Sequence, residues 1–221
     1  MEVNETEIIA VDRNLYRCSR ARSPTRISSL KKAVGDIWLE GRHEADCALS
    51  LEFDQSVSSF RCQPLSLLKH DRLKPKKNGT RRRYTPDFLV TLTNGEKEFW
   101  EVKAPDYRPE DTQDILRLFF GDLMRQGYRL KVVTQSDYGS PTKVRNLRRI
   151  HQYRYHRFED ALWLPFYKKL PKSMLFGELD EAMRQAGFFC TSSMNALWEQ
   201  RVCFDIDNEL ITSSSIVEIT K

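Results

Sequence analysis

The sequence lacks the features that mark membrane-spanning, secreted and zinc-binding proteins. No apolar run comes near the ~20 residues that a membrane-spanning helix needs. The N-terminal stretch MEVNETEIIAVDRN starts acidic and lacks the apolar block of a signal peptide. The five cysteines are scattered and never spaced as C-x-x-C, and the four histidines show no metal-binding spacing. These absences argue against a zinc site or a disulfide framework, and they predict a cytoplasmic protein with no membrane partner.

The charge is distributed unevenly along the chain. The 221 residues, of which 40% are hydrophobic, are enough to form one large domain or two modest ones with a buried core. The net charge of +5 divides into +9 over residues 1–170 and −4 over residues 171–221. A basic body favours a polyanion such as DNA, and an acidic end indicates a second surface for a different kind of partner.

Hydrophobic periodicity predicts a mixed α/β core with helices on its faces for residues 1–145. Residues 13–32 are predicted to be a basic extended arm, and residues 69–83 a loop that holds 8 Lys or Arg in 15 residues. The core elements are predicted as a helix over 40–50, a strand over 57–68, a hairpin over 84–103, an amphipathic helix over 108–127 and a strand over 128–134.

Residues 146–221 are predicted to form a separate, winged-helix-like domain. A basic helix over 143–158 leads into a helix over 173–187, a second helix over 191–200 and a closing hairpin over 201–219. The second helix carries no Lys or Arg, whereas a helix that enters a DNA groove brings basic or amide side chains to the bases. The domain is therefore predicted to dock a protein, with Met194 and Trp198 as contacts unless they belong to the core.

Three ionisable residues are predicted to meet inside the hairpin. Strand alternation places Glu101 and Lys103 on one face, about 7 Å apart, and counting back from the Asn94-Gly95 turn places Asp87 opposite them. Two carboxylates at that distance repel, and a Mg²⁺ ion would convert the repulsion into ligation. With a lysine beside them, this is the chemistry of phosphodiester hydrolysis. The alternative is a surface cross-strand pair with no function.

These residues resemble the signature of the PD-(D/E)xK nucleases, the group that includes the restriction endonucleases. Pro86-Asp87 followed by Glu101-Val102-Lys103 matches that signature. The ordered set HEADCALSLEFD, the strand ending in QP, YTPDF and EVKAP is similar to TnsA, the endonuclease subunit of heteromeric transposases. The similarity covers about residues 20–150 and implies a restriction-endonuclease-like mixed sheet flanked by helices.

The resemblance implies roles for particular residues. Glu44, Asp87 and Glu101 would be the carboxylates of a Mg²⁺ site in which Mn²⁺ can substitute, Val102 would be a further metal-site residue, and Lys103 would be the catalytic lysine. Gln63 matches the glutamine at the strand end as a supporting residue. Glu40 and Glu52 compete with Glu44 as the helical glutamate. The basic loop would contact DNA through Lys74, Lys76, Lys77, Arg81, Arg82 and Arg83.

The same resemblance implies a bacterial, nucleoid-associated function in cut-and-paste DNA transposition. A TnsA-type enzyme cuts the 5′ ends of the transposon in double-stranded DNA, a TnsB-like transposase acts at the 3′ ends, and a TnsC-like AAA+ ATPase regulates both. The small size is similar to members from CRISPR-associated transposons. Two other readings stay open: a stand-alone restriction or repair nuclease, and a non-catalytic DNA-binding scaffold on a nuclease fold.

Overall fold

The computed structural model describes residues 25–31, 36–64, 67–68, 83–106, 120–121 and 123–220. The chain divides into two compact units between Tyr138 and Gly139, somewhat ahead of the predicted 145/146 boundary. No helix in the described part of the chain combines the length and the apolar character that crossing a membrane requires.

The first unit is built from eight described strands and two described helices. In chain order they are β1 (Thr25–Ser28), β2 (Asp36–Leu39), α1 (Arg42–Phe53), β3 (Val57–Cys62), β4 (Leu67–Leu68), β5 (Arg83–Tyr84), β6 (Phe88–Leu92), β7 (Lys97–Val102), β8 (Arg129–Val133) and the short α2 (Gln135–Tyr138).

A four-stranded mixed sheet forms the centre of this unit. Its order is β3-β6-β7-β8, with antiparallel pairing between the first three strands and parallel pairing between β7 and β8. The parallel pair requires a crossover, which the chain makes over residues 103–128. The predicted hairpin, the strand after it and the helix over 40–50 are confirmed. The strand predicted over 57–68 is confirmed only for Val57–Cys62, because Leu67–Leu68 pair with β5 in a separate two-stranded sheet. The mixed α/β arrangement agrees with the predicted restriction-endonuclease-like core.

The end of the crossover packs one leucine against the sheet. Leu123 is buried with Phe99 of β7, and Leu89, Tyr128 and Leu130 pack around them. The chain then turns at Gly127, whose positive φ of 82° suits a residue without a side chain.

The predicted helix over 108–127 is only partly described. Residues 107–119 and 122 lie outside the described residues. Within the part that is described, Phe120 and Met124 are exposed, whereas Leu123 is buried.

A small antiparallel hairpin of β1 and β2 packs on α1 and was not predicted from the sequence. Ile27, Ile37 and Leu39 are buried there, and the Arg26 guanidinium lies 5.9 Å from the centre of the Trp38 ring. The prediction of an extended arm over 13–32 is therefore wrong for residues 25–28, which form a paired strand. Residues 13–24 of that arm lie outside the described residues.

One buried carboxylate fastens the segment after β1 to the end of α1. Glu52 is 4% exposed, and its oxygens accept hydrogen bonds from the Ser29 hydroxyl at 2.7 Å, the Leu30 amide at 2.6 Å and the Lys31 amide at 3.2 Å. The Lys31 ammonium also donates to the Leu51 carbonyl at the C-terminal end of the helix. Glu52 is therefore fully engaged by its own fold.

The second unit holds four helices and a small antiparallel sheet among the described residues. Its elements are α3 (Pro141–Ile150), a 3-10 helix (His151–Tyr153), α4 (Asp160–Tyr167), β9 (Ser173–Leu175), α5 (Phe176–Gln185), α6 (Ser192–Trp198), β10 (Val202–Cys203) and β11 (Ile216–Ile219). The sheet order is β10-β11-β9, which adds β9 to the predicted closing hairpin.

The helix predicted over 143–158 is shorter than expected. Regular helix ends at Ile150, and the chain continues through one 3-10 turn into an irregular segment. Inside α3, Asn146 is 1% exposed and ties the helix to the segment between β10 and β11. Its amide nitrogen donates to the carbonyls of Ile206 and Glu209, and its oxygen accepts from the Ile211 amide.

The order of two helices followed by a hairpin is present in the second unit as the sequence indicated, whereas its assignment to the winged-helix class stays a prediction.

Trp198 belongs to the core rather than to a free surface. It is 9% exposed, and its ring lies edge-on to His151 at 5.0 Å between centroids. Met194 is half-buried.

We expect Glu52→Ala to lower the free energy of unfolding by at least about 2 kcal/mol, because it leaves three donors without their acceptor and each buried unpaired group costs about 1–3 kcal/mol. Glu52→Gln keeps one acceptor and should lose less. Urea unfolding of both variants measures this. Glu96→Ala, which removes an exposed glutamate with one weak ion pair, is the control and should stay near the wild-type value. A Glu52→Ala midpoint equal to that of the control would contradict the anchoring role.

Candidate active site

The register of the β6–β7 hairpin aligns two carboxylates at its open end. The strands pair Phe88 with Trp100 and Leu89 with Phe99, so one step further the alignment sets Asp87 beside Glu101. The closed end is held by the predicted turn, where Gly95 has a φ of 86° and its amide donates to the Leu92 carbonyl at 2.9 Å. A slip of one residue would send these side chains to opposite faces, so the turn determines which residues meet.

Asp87 is bound to the strand opposite it. Its Oδ2 accepts a hydrogen bond from the Val102 amide at 2.7 Å. Burial raises the pKa of the Asp87 carboxyl well above its usual value, and the negative charges of Glu101 and Glu44 raise it further. The hydrogen bond from Val102 and the positive charge of Lys103 act in the opposite direction and only partly compensate. The surroundings of Asp87 thus disfavour the ionised form of its carboxyl.

Glu101 and Lys103 form an ion pair at the end of β7. Glu101 is 7% exposed, and the Lys103 ammonium lies 2.5 Å from its Oε1. The Lys103 amide donates to the Val133 carbonyl of the neighbouring strand at 2.8 Å, which fixes the backbone at this point. The prediction that these two side chains share a face with each other is consistent with this contact.

Glu44 comes to this region from the first turn of α1. Its Oε2 accepts a hydrogen bond from the Glu40 amide at 3.0 Å, so the carboxylate is bonded to the backbone just before its own helix. Its charge contributes to the raised pKa of Asp87, which places the two groups near each other. Of the rival glutamates, Glu52 is engaged at the other end of α1 by the segment after β1.

Gln63 follows β3 directly beside the hairpin. Its amide donates to the Asp87 carbonyl at 2.7 Å, and its side chain is buried.

Most of the predicted DNA contacts lie outside the described residues: Lys74, Lys76, Lys77, Arg81 and Arg82. Arg83 contributes its backbone to β5, which pairs with β4.

Two residues near the site were missed or left aside by the sequence reasoning. His43, next to Glu44, carries its Nδ1 2.9 Å from the Tyr138 hydroxyl. Burial, with help from the charge of Asp46, raises the pKa of Tyr138 to about 12, so the phenol stays protonated at neutral pH. No signal in the sequence connects Tyr138 with a helix 95 residues away. The link depends on α2 packing against α1.

Asp87 and Glu101 suit a hard divalent cation. Mg²⁺ in proteins is usually held by one or two carboxylates together with water and substrate oxygens. Two adjacent carboxylates of like charge match that preference, and the Val102 amide donates a hydrogen bond to one of them. Within the described ranges, no group of three or more His, Cys, Asp or Glu side chains is arranged to hold a metal ion. The predicted three-carboxylate set therefore stays a prediction.

A comparison with family models finds one domain in this chain. Residues 54–135 match the model described as TnsA-like endonuclease N terminal. This span includes the strands β3, β6, β7 and β8 together with Asp87, Glu101 and Lys103, and it begins after Glu44. No curated protein sequence matches the chain. Through residues 54–135 the chain contains a TnsA-like endonuclease domain, and that domain supports a nuclease role in Tn7-like transposition.

Proposed function

We propose that this protein is a Mg²⁺-dependent DNA endonuclease that cleaves the 5′ ends of a transposon during cut-and-paste transposition. The observation that carries the proposal is the convergence of Asp87, Glu101 and Lys103 at the open end of one hairpin, inside the span that matches the TnsA-like model. Mn²⁺, which has similar ligand preferences, would substitute for Mg²⁺.

Asp87 and Glu101 would hold the cation, and Glu44 would add an oxygen from α1. The Val102 amide orients the Asp87 carboxylate by donating to its Oδ2, while the neighbouring Val102 carbonyl is a further candidate ligand. A bound divalent cation would lower the pKa of a water molecule and neutralise charge on the scissile phosphate. The residues themselves need only small adjustments, because the register of the hairpin already sets the two carboxylates together.

Lys103 would supply the positive charge of the site. Its ammonium lies 2.5 Å from the Glu101 carboxylate, and its side chain is about one-fifth exposed, so the charge is paired and keeps some access to solvent. From this position it would stabilise the negative charge that develops on a phosphate oxygen as the phosphodiester bond breaks.

The DNA itself would be gripped mainly through its phosphates. Residues 1–170 carry a net charge of +9, and the loop over 69–83 leads directly into the strand before Asp87. Lys and Arg in that loop would set the position of the duplex without reading its sequence. The TnsA-like domain acts on DNA together with Tn7-type transposase partners, and the choice of target then depends on those partners.

The partners would be a TnsB-like transposase for the 3′ ends and a TnsC-like AAA+ ATPase that docks on the second unit. Helix α6 of that unit has no Lys or Arg, and residues 171–221 carry a net charge of −4. Both features oppose insertion into a DNA groove and favour a protein partner. The winged-helix-like assignment of this unit belongs to the same proposal.

Reconstitution separates the proposal from its two alternatives. A TnsA-type subunit should cut 5′ ends only when transposase and ATPase assemble on transposon DNA. A stand-alone restriction or repair nuclease should cut naked DNA with no partner, and a non-catalytic scaffold should cut under neither condition. Strand-specific cleavage with and without the partners measures which of the three behaviours the chain has.

We expect Asp87→Ala to abolish cleavage of the 5′ strand in the reconstituted system, with loss of at least about 10³-fold in rate, because it removes an oxygen that would hold the cation. Binding of end DNA should remain close to wild type, since most affinity comes from phosphate contacts. Glu96→Ala, on the exposed turn of the same hairpin, is the matched control and should cut normally. Equal cleavage by Asp87→Ala and wild type would falsify the assignment.

We expect Asp87→Asn to raise the melting temperature of the metal-free protein by roughly 2–4 °C at pH 7, the shift that about 1 kcal/mol produces in a chain of this size. The pKa of the Asp87 carboxyl is raised in the folded protein. At pH values below its pKa of about 4 in the unfolded chain, the wild-type carboxyl therefore stabilises the fold. That contribution is lost as pH rises through the folded pKa. The advantage of Asp87→Asn should therefore be small near pH 4 and should grow as pH rises toward the folded pKa.

Thermal unfolding over a pH series, with and without Mg²⁺, measures both effects. Mg²⁺ should raise the melting temperature of the wild type and leave that of Asp87→Asn almost unchanged, because the amide is a poorer ligand than a carboxylate. An Asp87→Asn variant that is less stable than wild type across the whole range would show that the carboxylate is held for structural reasons.

A further inference from the structure

Two residues other than glycine have a positive φ in the described part of the chain, and only one of them has a local structural reason for it. They are Gln63, with φ 44°, and Gln200, with φ 56°. Gln200 follows the last turn of α6. The Gln200 amide donates to the Leu197 carbonyl at 3.1 Å and the Arg201 amide to the Ala196 carbonyl at 2.9 Å. This pair of bonds is the usual left-handed helix ending, so the conformation of Gln200 belongs to its helix cap.

Gln63 ends a strand and caps no helix. It comes directly after β3, and its amide donates to the Asp87 carbonyl at 2.7 Å. A left-handed backbone is unfavourable for a residue with a side chain, and such strain concentrates at functional sites. Here the strained residue is bonded to the residue that carries the central carboxylate of the candidate site.

The side chain of Gln63 presents a second anomaly. It is 7% exposed, and its Oε1 is buried without a hydrogen-bond donor in the described structure. Buried oxygens of this kind nearly always have a partner, since leaving one unpaired is unfavourable. A residue that combines a strained backbone with an unpaired buried acceptor is selected for something other than the stability of the fold.

We propose that Gln63 is a positioning residue of the cation site, whose Oε1 accepts a hydrogen bond from a water molecule bound to the divalent ion. The inference rests on the proposed function, because it requires an ion at Asp87 and Glu101. Mg²⁺ keeps several of its water molecules when it binds to protein carboxylates, and groups that hold those waters strongly affect metal affinity.

A neutral amide is the acceptor that this location favours. Asp87 already lies in the field of Glu101 and Glu44, so a further carboxylate would add to the repulsion. The glutamine oxygen can accept a hydrogen bond from a bound water without adding charge to the metal-free protein. The strained backbone would be the consequence of placing that oxygen next to the Asp87 strand.

The test uses the full chain and Mg²⁺ alone, so that it does not depend on cleavage. Gln63→Leu keeps a similar volume and removes the acceptor, while Gln63→Gly removes the side chain and suits the positive φ. We expect both to weaken Mg²⁺ binding about tenfold or more in isothermal titration calorimetry. We also expect a smaller Mg²⁺-induced rise in melting temperature, with a metal-free melting temperature that is not lower than that of wild type.

Gln63→Glu retains an oxygen at the same place and should restore Mg²⁺ affinity to at least the wild-type level. Gln200→Gly is the matched control, because it relieves the same kind of strain in the second unit. It should raise the melting temperature and leave Mg²⁺ binding unchanged. In the reconstituted reaction, Gln63→Leu should lower kcat and leave the KM for DNA unaltered.

Wild-type Mg²⁺ affinity in Gln63→Leu would overturn the inference. If Gln63→Leu fails to fold, the Mg²⁺ affinity of Gln63→Gly tests the inference in its place. Asp87→Asn, measured in the same experiment, distinguishes a failure of the Gln63 inference from a failure of the proposed cation site. Loss of Mg²⁺ binding in Asp87→Asn with normal binding in Gln63→Leu removes only the role of Gln63. Normal binding in both variants removes the cation site itself.

Discussion

The candidate site depends on two carboxylates that repel each other and yet are held together by the register of one hairpin. Asp87 and Glu101 face each other because the turn at Asn94-Gly95 fixes which residues of β6 and β7 pair. The main chain contributes the Val102 amide, and Lys103 contributes a positive charge, but the pKa of Asp87 is still raised well above its usual value. The surroundings therefore disfavour the ionised form of Asp87, and a divalent cation would favour it.

Helix α1 shows how the same residue type acquires different roles at its two ends. Glu44, in the first turn, lies near Asp87 and contributes to its electrostatic environment. Glu52, in the last turn, is buried and accepts three hydrogen bonds from the segment after β1. One glutamate thus acts on the electrostatics of Asp87, and the other attaches the C-terminal end of the helix to the segment after β1.

The parts of the fold that could be predicted are those whose cause is local. The hairpin follows from strand alternation and an Asn-Gly turn, and its register is enough to bring Asp87 and Glu101 together. The small β1–β2 hairpin was missed because its short strands become stable only by packing on α1. The helix over 143–158 was predicted too long: regular helix ends at Ile150, and the segment after it is bonded to a distant residue, Asn195, whose side-chain amide donates to the Tyr153 carbonyl.

By itself, the sequence determined the order of the elements, the pairing of the hairpin and the residues at its open end, because these depend on spacing within about 20 residues. Only the tertiary structure decided that Glu52 is taken up by the segment after β1, that Trp198 is core, and that His43 meets Tyr138. It alone revealed the left-handed backbone and the unpaired buried oxygen of Gln63. Burial and long-range hydrogen bonds arise from segments far apart in the chain, and a linear pattern does not encode which of them meet.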